Sequence, residues 1–272
     1  MTSTALQKVR AASAKSQESV VLETGKRVLV VGASGAIGLA VVRLLAQNAA
    51  VIGAHYHQRR QPLEQLVKRC KLDEACVKLY EAELSNQPRC HALIDGFVEW
   101  AGGIDGLVQL SGNISRPSPW QDVMEPEWTA DLAVNLSGPF FLAQRAMQLM
   151  KKGAGGRIIL TSTASAQHGG GSTSMAYGVA KAGVECLAKA LARAGAPHRI
   201  VVNAVAPGFI DTPFHRARMK RGTNELKRRA ALVPLGRAGT PDEVAQLIVY
   251  LLSPAAGYIT GECIAVSGGD WL

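Results

Sequence analysis

The 272-residue chain lacks any apolar run close to the ~20 uninterrupted residues of a membrane-spanning helix, so no membrane partner is predicted. It also lacks a Cys-x-x-Cys pair and a secretory signal, and its five cysteines are dispersed. This pattern predicts reduced thiols in a cytoplasmic protein, without a disulfide framework. The sequence predicts no metal site.

Charged residues make up only 19% of the chain and hydrophobic residues 47%, as in ordinary soluble globular proteins. The net charge is nevertheless +9. The basic residues concentrate in one segment, which contains Arg216, Arg218, Lys220, Arg221, Lys227, Arg228 and Arg229. No aromatic platform or recognition motif accompanies them, so no nucleic-acid partner is predicted. A basic rim for an anionic substrate and a plain solvated face both remain open.

The sequence divides into an extension and one domain. Residues 1–24 are rich in Ser, Ala and Lys with little apolar periodicity, which predicts an extension that is partly disordered or lies along the surface. Residues 25–272 contain neither an internal repeat nor a second domain. Within them, the basic stretch 213–239 is too long for an ordinary connection, and we interpret it as an irregular lid over a substrate site.

Apolar runs and helical periodicities alternate along residues 25–272. This alternation predicts an α/β fold with a doubly wound parallel sheet, in which ligands bind beyond the carboxyl ends of the strands. After a first strand that ends at Val31, strands are predicted at residues 50–54, 77–80, 106–110, 157–161, 200–205 and 263–266. The main predicted helices are residues 62–71, 88–100, 126–150, 174–194 and 241–252.

A glycine cluster follows the first predicted strand and opens a helix. Its glycines are Gly32, Gly35 and Gly38. Glycine lets a backbone approach a pyrophosphate closely, and the first turn of a helix offers free N–H groups and a favourable dipole. Because the cluster lies in a strand-turn-helix at the start of the alternation, it predicts dinucleotide binding rather than a turn that only packs tightly.

Tyr177 and Lys181 lie four residues apart in an alanine-rich stretch. That spacing places the phenol and the ammonium on one helical face, about a turn apart. A cation beside a phenol favours the phenolate, so we expect the pKa of Tyr177 to fall from ~10 toward the working range of a general acid. A surface pair without a role is the alternative for so short a motif.

Together these motifs, in this order, resemble the short-chain dehydrogenase/reductase family over roughly residues 25–272. Three further segments carry the resemblance: residues 128–138, 202–213 and 264–269. The resemblance implies a single-domain, three-layer α/β/α Rossmann fold and hydride transfer between a nicotinamide cofactor and a carbonyl or secondary alcohol. It also implies a homotetramer or homodimer.

The resemblance assigns catalytic roles to four residues. Tyr177 is implied as the proton donor to the carbonyl oxygen, and Lys181 as the residue that holds the nicotinamide ribose and lowers the tyrosine pKa. Asn135 is implied to keep a bent helix open for a water relay to Lys181. The hydroxyl that polarises the carbonyl is Thr163 by position, where the family has serine. Ser162 is held in reserve because alternation along a strand points it to the opposite face.

Further residues are implied in cofactor binding by the same resemblance: Gly32, Ser34, Gly35, Ala36, Ile37, Gly38, Tyr56, His57, Arg59, Glu83, Leu84, Ser111, Gly112, Pro207, Gly208, Ile210 and Thr212. Three of these positions depart from the family pattern. Ala36 replaces a glycine, Ser111 lies in Gln-Leu-Ser-Gly where many members have Asn-Asn-Ala-Gly, and Glu83 replaces the aspartate that contacts adenine.

The end of the second predicted strand indicates which cofactor is used. An acid is favoured there for NAD, where it accepts from the ribose 2′-OH. Tyr56 holds that place with no acid nearby, while His57, Arg59 and Arg60 could meet a 2′-phosphate. The sequence therefore favours NADP(H) over NAD(H), unless the arginines only face water.

The sequence gives little information about the identity of the substrate. Similarity is greatest to reductases of 3-oxoacyl thioesters, whose acidic carrier proteins would suit the basic lid. A sugar, polyol or other small ketone remains an alternative substrate. So does a protein that binds NADP but has lost catalysis, because the asparagine and serine motifs are altered.

Overall fold

The computed structural model describes residues 22–214 and 222–270, and within them seven strands form one sheet. In chain order β1 to β7 are Arg27–Val31, Val51–Tyr56, Val77–Glu81, Gly106–Gln109, Gly156–Thr161, Ile200–Pro207 and Cys263–Val266. Their spatial order is β3-β2-β1-β4-β5-β6-β7, and every pairing is parallel. The predicted doubly wound sheet is confirmed.

Helices cover both faces of the sheet and give three layers. In chain order α1 to α8 are Ala36–Gln47, Gln61–Cys70, Gln87–Ala101, Glu125–Leu132, Gly138–Met150, Met175–Gly195, Thr223–Ala231 and Pro241–Leu252. α1, α2 and α8 pack on one face, and α3, α5 and α6 pack on the other. Because successive side chains of a strand point to opposite faces, Val28 and Val30 join the first apolar layer, and Leu29 and Val31 join the second.

The order in which successive strands are added to the sheet reverses between β1 and β4, and this reversal positions the site. β1 pairs with β2 on one side and with β4 on the other, where Val31 lies opposite Gln109. The connections from β1 and β4 therefore leave the sheet in opposite directions at the carboxyl edge. A crevice forms at such a switch point, and the glycine cluster lies at its base.

Two secondary-structure predictions are wrong. The helix predicted over residues 126–150 is not continuous, because a π-helical turn, Ala133–Ser137, separates α4 from α5. The stretch 213–239 is not wholly irregular, because α7 occupies Thr223–Ala231. β7 and α8, in contrast, have the predicted bounds.

Parts of the chain lie outside the described residues. These parts are residues 1–21 of the predicted extension, residues 271–272, and residues 215–221 of the predicted lid with Arg216, Arg218, Lys220 and Arg221. Leu22, at the end of the predicted extension, is buried in the first apolar layer. Within residues 22–214 and 222–270, no helix has the length and apolar character needed to span a membrane.

Candidate active site

Tyr177 and Lys181 lie in the first turns of α6, at the carboxyl edge of the sheet. The Lys181 side chain is only 1% exposed, and its Nζ lies 5.5 Å from the centre of the Tyr177 ring. Nζ also donates to the carbonyl oxygen of Thr161, at the end of β5, over 2.8 Å. The helix spacing and the strand end together fix the ammonium beside the phenol.

Burial controls the protonation of this pair. It lowers the pKa of Lys181 to about 8 and raises the pKa of the partly buried Tyr177 to about 12. Removing either group from water disfavours its charged form. The expected fall in the tyrosine pKa is therefore wrong for the protein alone, since burial outweighs the nearby cation.

Asn135 lies within the π-helical turn and is fully buried. Its Nδ2 donates to the carbonyl oxygens of Asp131 at 2.8 Å and Asn113 at 2.6 Å, while its Oδ1 accepts from the backbone N–H of Asn113 at 3.1 Å. Of these backbone groups, the carbonyl of Asp131 belongs to α4, which precedes the widened turn. The Asn135 side chain also ties the helix to the loop after β4.

Gly112 of that loop lies close to both Asn135 and Lys181. A Cβ at this position would lie 2.9 Å from Asn135 Oδ1 and 3.5 Å from Lys181 Nζ. Only glycine leaves room for both polar side chains. The preceding residue, Ser111, accepts from Gln109 Nε2 through its carbonyl oxygen and its hydroxyl, so the glutamine supplies a local amide contact where the family has asparagine.

The two candidate hydroxyls face different partners. Thr163 Oγ1 lies 3.2 Å from Ser165 Oγ and 3.4 Å from the carbonyl oxygen of Pro207. Ser162 Oγ is buried against α6, 2.7 Å from Glu185 Oε1 and 3.0 Å from the carbonyl oxygen of Lys181. Both partners of Ser162 are acceptors, so its proton is already engaged. This geometry supports Thr163 as the candidate hydroxyl.

The glycine cluster forms a tight turn from β1 into α1. Gly32 adopts φ +80°, and a Cβ there would lie 2.6 Å from the backbone nitrogen of Ser111, so glycine is required. Gly35 caps α1, whose first turn contains no acidic residue. Ser34, Ala36 and Ile37 are partly exposed beside it, and Gly38 is buried. This helix start fits the pyrophosphate of a dinucleotide.

A cleft of about 630 Å³ lies at the ends of β2 and β3, lined by His57, Gln58, Glu81, Ala82 and Glu83. Tyr56 is buried beside it, and its hydroxyl donates to Glu81 Oε2 over 3.1 Å. The expectation that no acid lies near Tyr56 is therefore wrong, because the neighbouring strand supplies one.

The other charged side chains at or beside the cleft are not all in ion pairs. Glu83 accepts from Arg89 and from the hydroxyl of Ser85. His57 and Arg59 are exposed, and Arg59 forms no ion pair in the described part of the chain. Leu84, the next residue after Glu83, is buried. The cleft thus presents the carboxylate of Glu81, and the unpaired Arg59 directly follows Gln58 of its lining.

The predicted nicotinamide segment runs from the end of β6 past Tyr177. Pro207 and Ile210 are buried, while Gly208 and Thr212 are partly exposed. The segment is held in place because the Gly208 N–H donates to the carbonyl oxygen of Val266 over 3.0 Å. Two residues beyond Thr212, the ring centre of Phe214 lies 6.3 Å from that of Tyr177, so the segment leads to the phenol.

A family model described as Enoyl-(Acyl carrier protein) reductase matches residues 32–270. The chain belongs to the short-chain dehydrogenase/reductase family. Nodulation protein G of Rhizobium meliloti is 37% identical over 247 residues, which cover 90% of this chain and 97% of that protein. The 3-oxoacyl-[acyl-carrier-protein] reductase FabG of Thermotoga maritima is 36% identical over 248 residues, with 90% and 97% coverage.

A solved structure supports the same assignment. A short-chain dehydrogenase/reductase from Serratia marcescens superposes with a TM-score of 0.83 at 28% identity, covering 92% of this chain and 99% of that one. The chain is therefore an oxidoreductase of a family that uses NAD(P)(H).

Four residues of this short-chain dehydrogenase/reductase lie at the site although the sequence did not single them out. Ser165 follows Thr163 by two positions, and the ring centre of Phe214 lies 6.3 Å from that of Tyr177. Glu81 reaches the cleft only through the strand register that pairs it with Tyr56. The fourth, His55, contacts the glycine turn. Ser165 could have been found from the sequence, because it is a hydroxyl residue two positions after Thr163. Glu81 and His55 could not, because their contacts with Tyr56 and Gly32 depend on the folded structure.

Proposed function

We propose that this oxidoreductase uses NADP(H) to interconvert a carbonyl compound and a secondary alcohol. The proposal rests on one arrangement: Lys181 Nζ lies 5.5 Å from the centre of the Tyr177 ring, and Thr163 Oγ1 lies 3.4 Å from the carbonyl oxygen of Pro207 at the end of β6. The bound nicotinamide supplies or accepts the hydride. The protein then has to orient the substrate and move one proton.

Each catalytic side chain has a distinct task in this proposal. The hydroxyl of Tyr177 gives its proton to the substrate oxygen as the carbonyl carbon is reduced. Lys181, fixed by Thr161, places a cation next to the developing phenolate and lowers the energy of that charge. Thr163 donates its hydroxyl hydrogen to the substrate oxygen and so opposes charge accumulation there. Asn135 keeps the π-helical turn open below Lys181.

The choice of NADP(H) rests on the cleft beside Tyr56. Arg59 is exposed and unpaired within the described residues, so its guanidinium is available to a 2′-phosphate. Arg60 is less available, since it pairs with Glu64 and contacts the Tyr56 hydroxyl. The Glu81 carboxylate acts in the opposite sense, because it favours a ribose 2′-OH over a phosphate.

We propose a 3-oxoacyl thioester as the substrate. FabG of Thermotoga maritima carries that activity in its name, and a further relative from Rhizobium meliloti, 33% identical over 249 residues, is an acetoacetyl-CoA reductase. Lys227 and Arg228 of α7 are exposed and could receive an acidic carrier. Leu232, 74% exposed, and Leu235, 68% exposed, follow on the same segment and could contact an acyl chain.

A homo-oligomer and a cytoplasmic location complete the proposal. Met175 and Val179, one turn apart on α6, are each 43% exposed and form an apolar strip suited to a second copy of the chain. A monomer mass by light scattering would contradict the oligomer. The location follows from the five free cysteines and stays a prediction that fractionation of cells can test.

The decisive experiment follows the oxidation of NADPH and of NADH with ketones, 3-oxoacyl thioesters and keto-sugars. Tyr177→Phe removes the proton donor, and Tyr258→Phe is the matched control because Tyr258 is fully exposed. We expect turnover with NADPH and a thioester that only Tyr177→Phe abolishes. NADPH binding without turnover on any carbonyl would favour the alternative of lapsed catalysis, and turnover of keto-sugars alone would favour a sugar or polyol substrate.

A further inference from the structure

His55 is a buried histidine whose two ring nitrogens both contact backbone. It lies in β2 and is 2% exposed. Nδ1 lies 3.1 Å from the backbone nitrogen of Gly32, and Nε2 lies 3.0 Å from the carbonyl oxygen of Ala82. Because the first partner is a donor and the second an acceptor, the ring must be neutral, with its hydrogen on Nε2.

These contacts fix the glycine turn from two sides. The carbonyl oxygen of His55 accepts from the N–H of Ala33 over 2.8 Å. His55 therefore accepts hydrogen bonds from two successive residues of the turn, Gly32 and Ala33. Gly32 has a positive φ and packs so closely against the loop containing Ser111 that an added Cβ would lie 2.6 Å from the Ser111 backbone nitrogen. A shift of its peptide would therefore also move that loop.

His55 also contacts the end of β3, through the carbonyl oxygen of Ala82. Ala82 lines the cleft together with Glu81 and Glu83, and His57, which also lines it, directly follows the end of β2. One imidazole thus joins the pyrophosphate turn and both walls of the adenosine cleft. Few other buried side chains could provide an acceptor and a donor at these two positions simultaneously.

We infer that His55 is a positioning residue for the dinucleotide, with Nδ1 setting the glycine turn and Nε2–H setting the end of β3. The inference rests on the proposed function, since it assumes that the turn holds a dinucleotide. The imidazole touches neither the cofactor nor the substrate in this assignment. It acts through Gly32 and Ala82.

Two substitutions separate the two ring contacts. In His55→Asn, Oδ1 replaces Nδ1 as the acceptor for Gly32, and the donor to Ala82 is lost. In His55→Gln, the amide nitrogen replaces Nε2 as the donor to Ala82, and the acceptor for Gly32 is lost. Both variants remove the ring, so their cavities and their losses of stability are similar. They differ in which of the two contacts is kept, the one to Gly32 in His55→Asn and the one to Ala82 in His55→Gln.

We expect the dissociation constant for NADPH, measured by fluorescence titration, to rise roughly tenfold more in His55→Gln than in His55→Asn, since a buried N–H without a partner is costly. The KM for NADPH should follow, with kcat and the substrate KM similar in the two variants. Equal dissociation constants in variants that lose equal stability would overturn the inference, because that result describes an ordinary core histidine.

A second measurement needs no cofactor. Amide hydrogen exchange at Gly32 and Ala33 should accelerate in His55→Gln and remain near the wild-type rate in His55→Asn. If the wild type binds neither NADPH nor NADH, the proposed function fails. The exchange rates then still decide whether Nδ1 holds the turn, and unchanged exchange in His55→Gln would reject the inference independently.

Discussion

Arg229 of α7 donates from Nη2 to Asp270 Oδ2 over 2.6 Å, and so joins α7 to the segment after β7. Its guanidinium also lies 5.3 Å from the centre of the Phe209 ring. Asp270 is only 8% exposed at its side chain, so the loss of its partner would leave a nearly buried carboxylate without its cation. This arginine therefore holds α7 in place, unlike its exposed neighbours Lys227 and Arg228.

The first prediction concerns stability. Arg229→Ala should lower the free energy of unfolding by about 1–3 kcal/mol, because breaking a buried ion pair leaves an uncompensated charge. Arg228→Ala is the matched control, since Arg228 is exposed on the same helix and should change stability little. Urea denaturation of both variants measures the difference. Equal losses in the two variants would contradict the assigned role of the Asp270 contact.

The second prediction concerns carrier recognition. Removing both exposed charges with Lys227→Ala and Arg228→Ala should raise the KM for a carrier-linked 3-oxoacyl thioester roughly tenfold, because complementary charges assist docking. The KM for a small ketone should stay unchanged. Lys151 and Lys152 are also exposed but lie at the opposite edge of the sheet, and their replacement is the control. A parallel rise for both substrates would reject a carrier-docking surface.

The third prediction separates the hydroxyls. Thr163→Ala should lower kcat roughly 100-fold, since a donor to the developing oxyanion is lost, and Thr163→Ser should restore it. Ser165→Ala should have a smaller effect, because Ser165 Oγ contacts Thr163 and serves to orient it. Steady-state kinetics with the best carbonyl substrate measures all three. A larger loss in Ser165→Ala would transfer the proposed role to Ser165.

The fourth prediction concerns cofactor choice. Glu81→Gln removes the carboxylate beside Tyr56 and should shift the ratio of kcat/KM values toward NADPH by roughly fivefold, because a negative charge repels the 2′-phosphate. Glu74→Gln, an exposed change in the loop before β3, serves as the control. An unchanged ratio of the kcat/KM values for NADPH and NADH would mean that the 2′ group of the cofactor ribose does not lie near Glu81.

Periodicity in the sequence was sufficient to predict the parallel sheet and most helices, because each strand and helix buries an apolar face of its own. The π-helical turn was missed since Asn135 stabilises it through the loop at Asn113, a tertiary contact that helical periodicity does not encode. α7 was missed for a related reason. Its sequence is strongly charged, and Arg229 anchors it through Asp270, which is distant in the sequence.

Some features of the candidate site could likewise be predicted from the sequence, and others depend on the folded structure. Tyr177, Lys181 and Asn135 could be proposed from local motifs and a family resemblance. The pKa direction of Tyr177 could not, because it depends on how much of the phenol the fold removes from water. Glu81 was missed because its proximity to Tyr56 depends on the register between β2 and β3.

The last prediction follows from His55. Burial lowers the pKa of His55 to about 4, from an ordinary value of 6.5, and the neighbouring His57 acts in the same direction. The folded-state pKa is thus depressed, so the contribution of the neutral ring to stability is complete above pH 6.5 and is lost as the pH falls toward 4. Between pH ~7.5 and ~5 this loss should amount to about 2 kcal/mol.

The comparison of the wild type with His55→Asn isolates this contribution, because the other histidines and the carboxylates titrate in both proteins. Urea unfolding at several pH values should give a free-energy difference that is constant above pH ~7 and shrinks by about 2 kcal/mol at pH ~5. A difference that stays constant across this range would mean that His55 titrates with the same pKa in the folded and unfolded chains, and therefore becomes charged in the folded protein by pH ~5. In that state Nδ1 would carry a hydrogen and could not accept from Gly32, so the hydrogen bond that defines the turn would be absent.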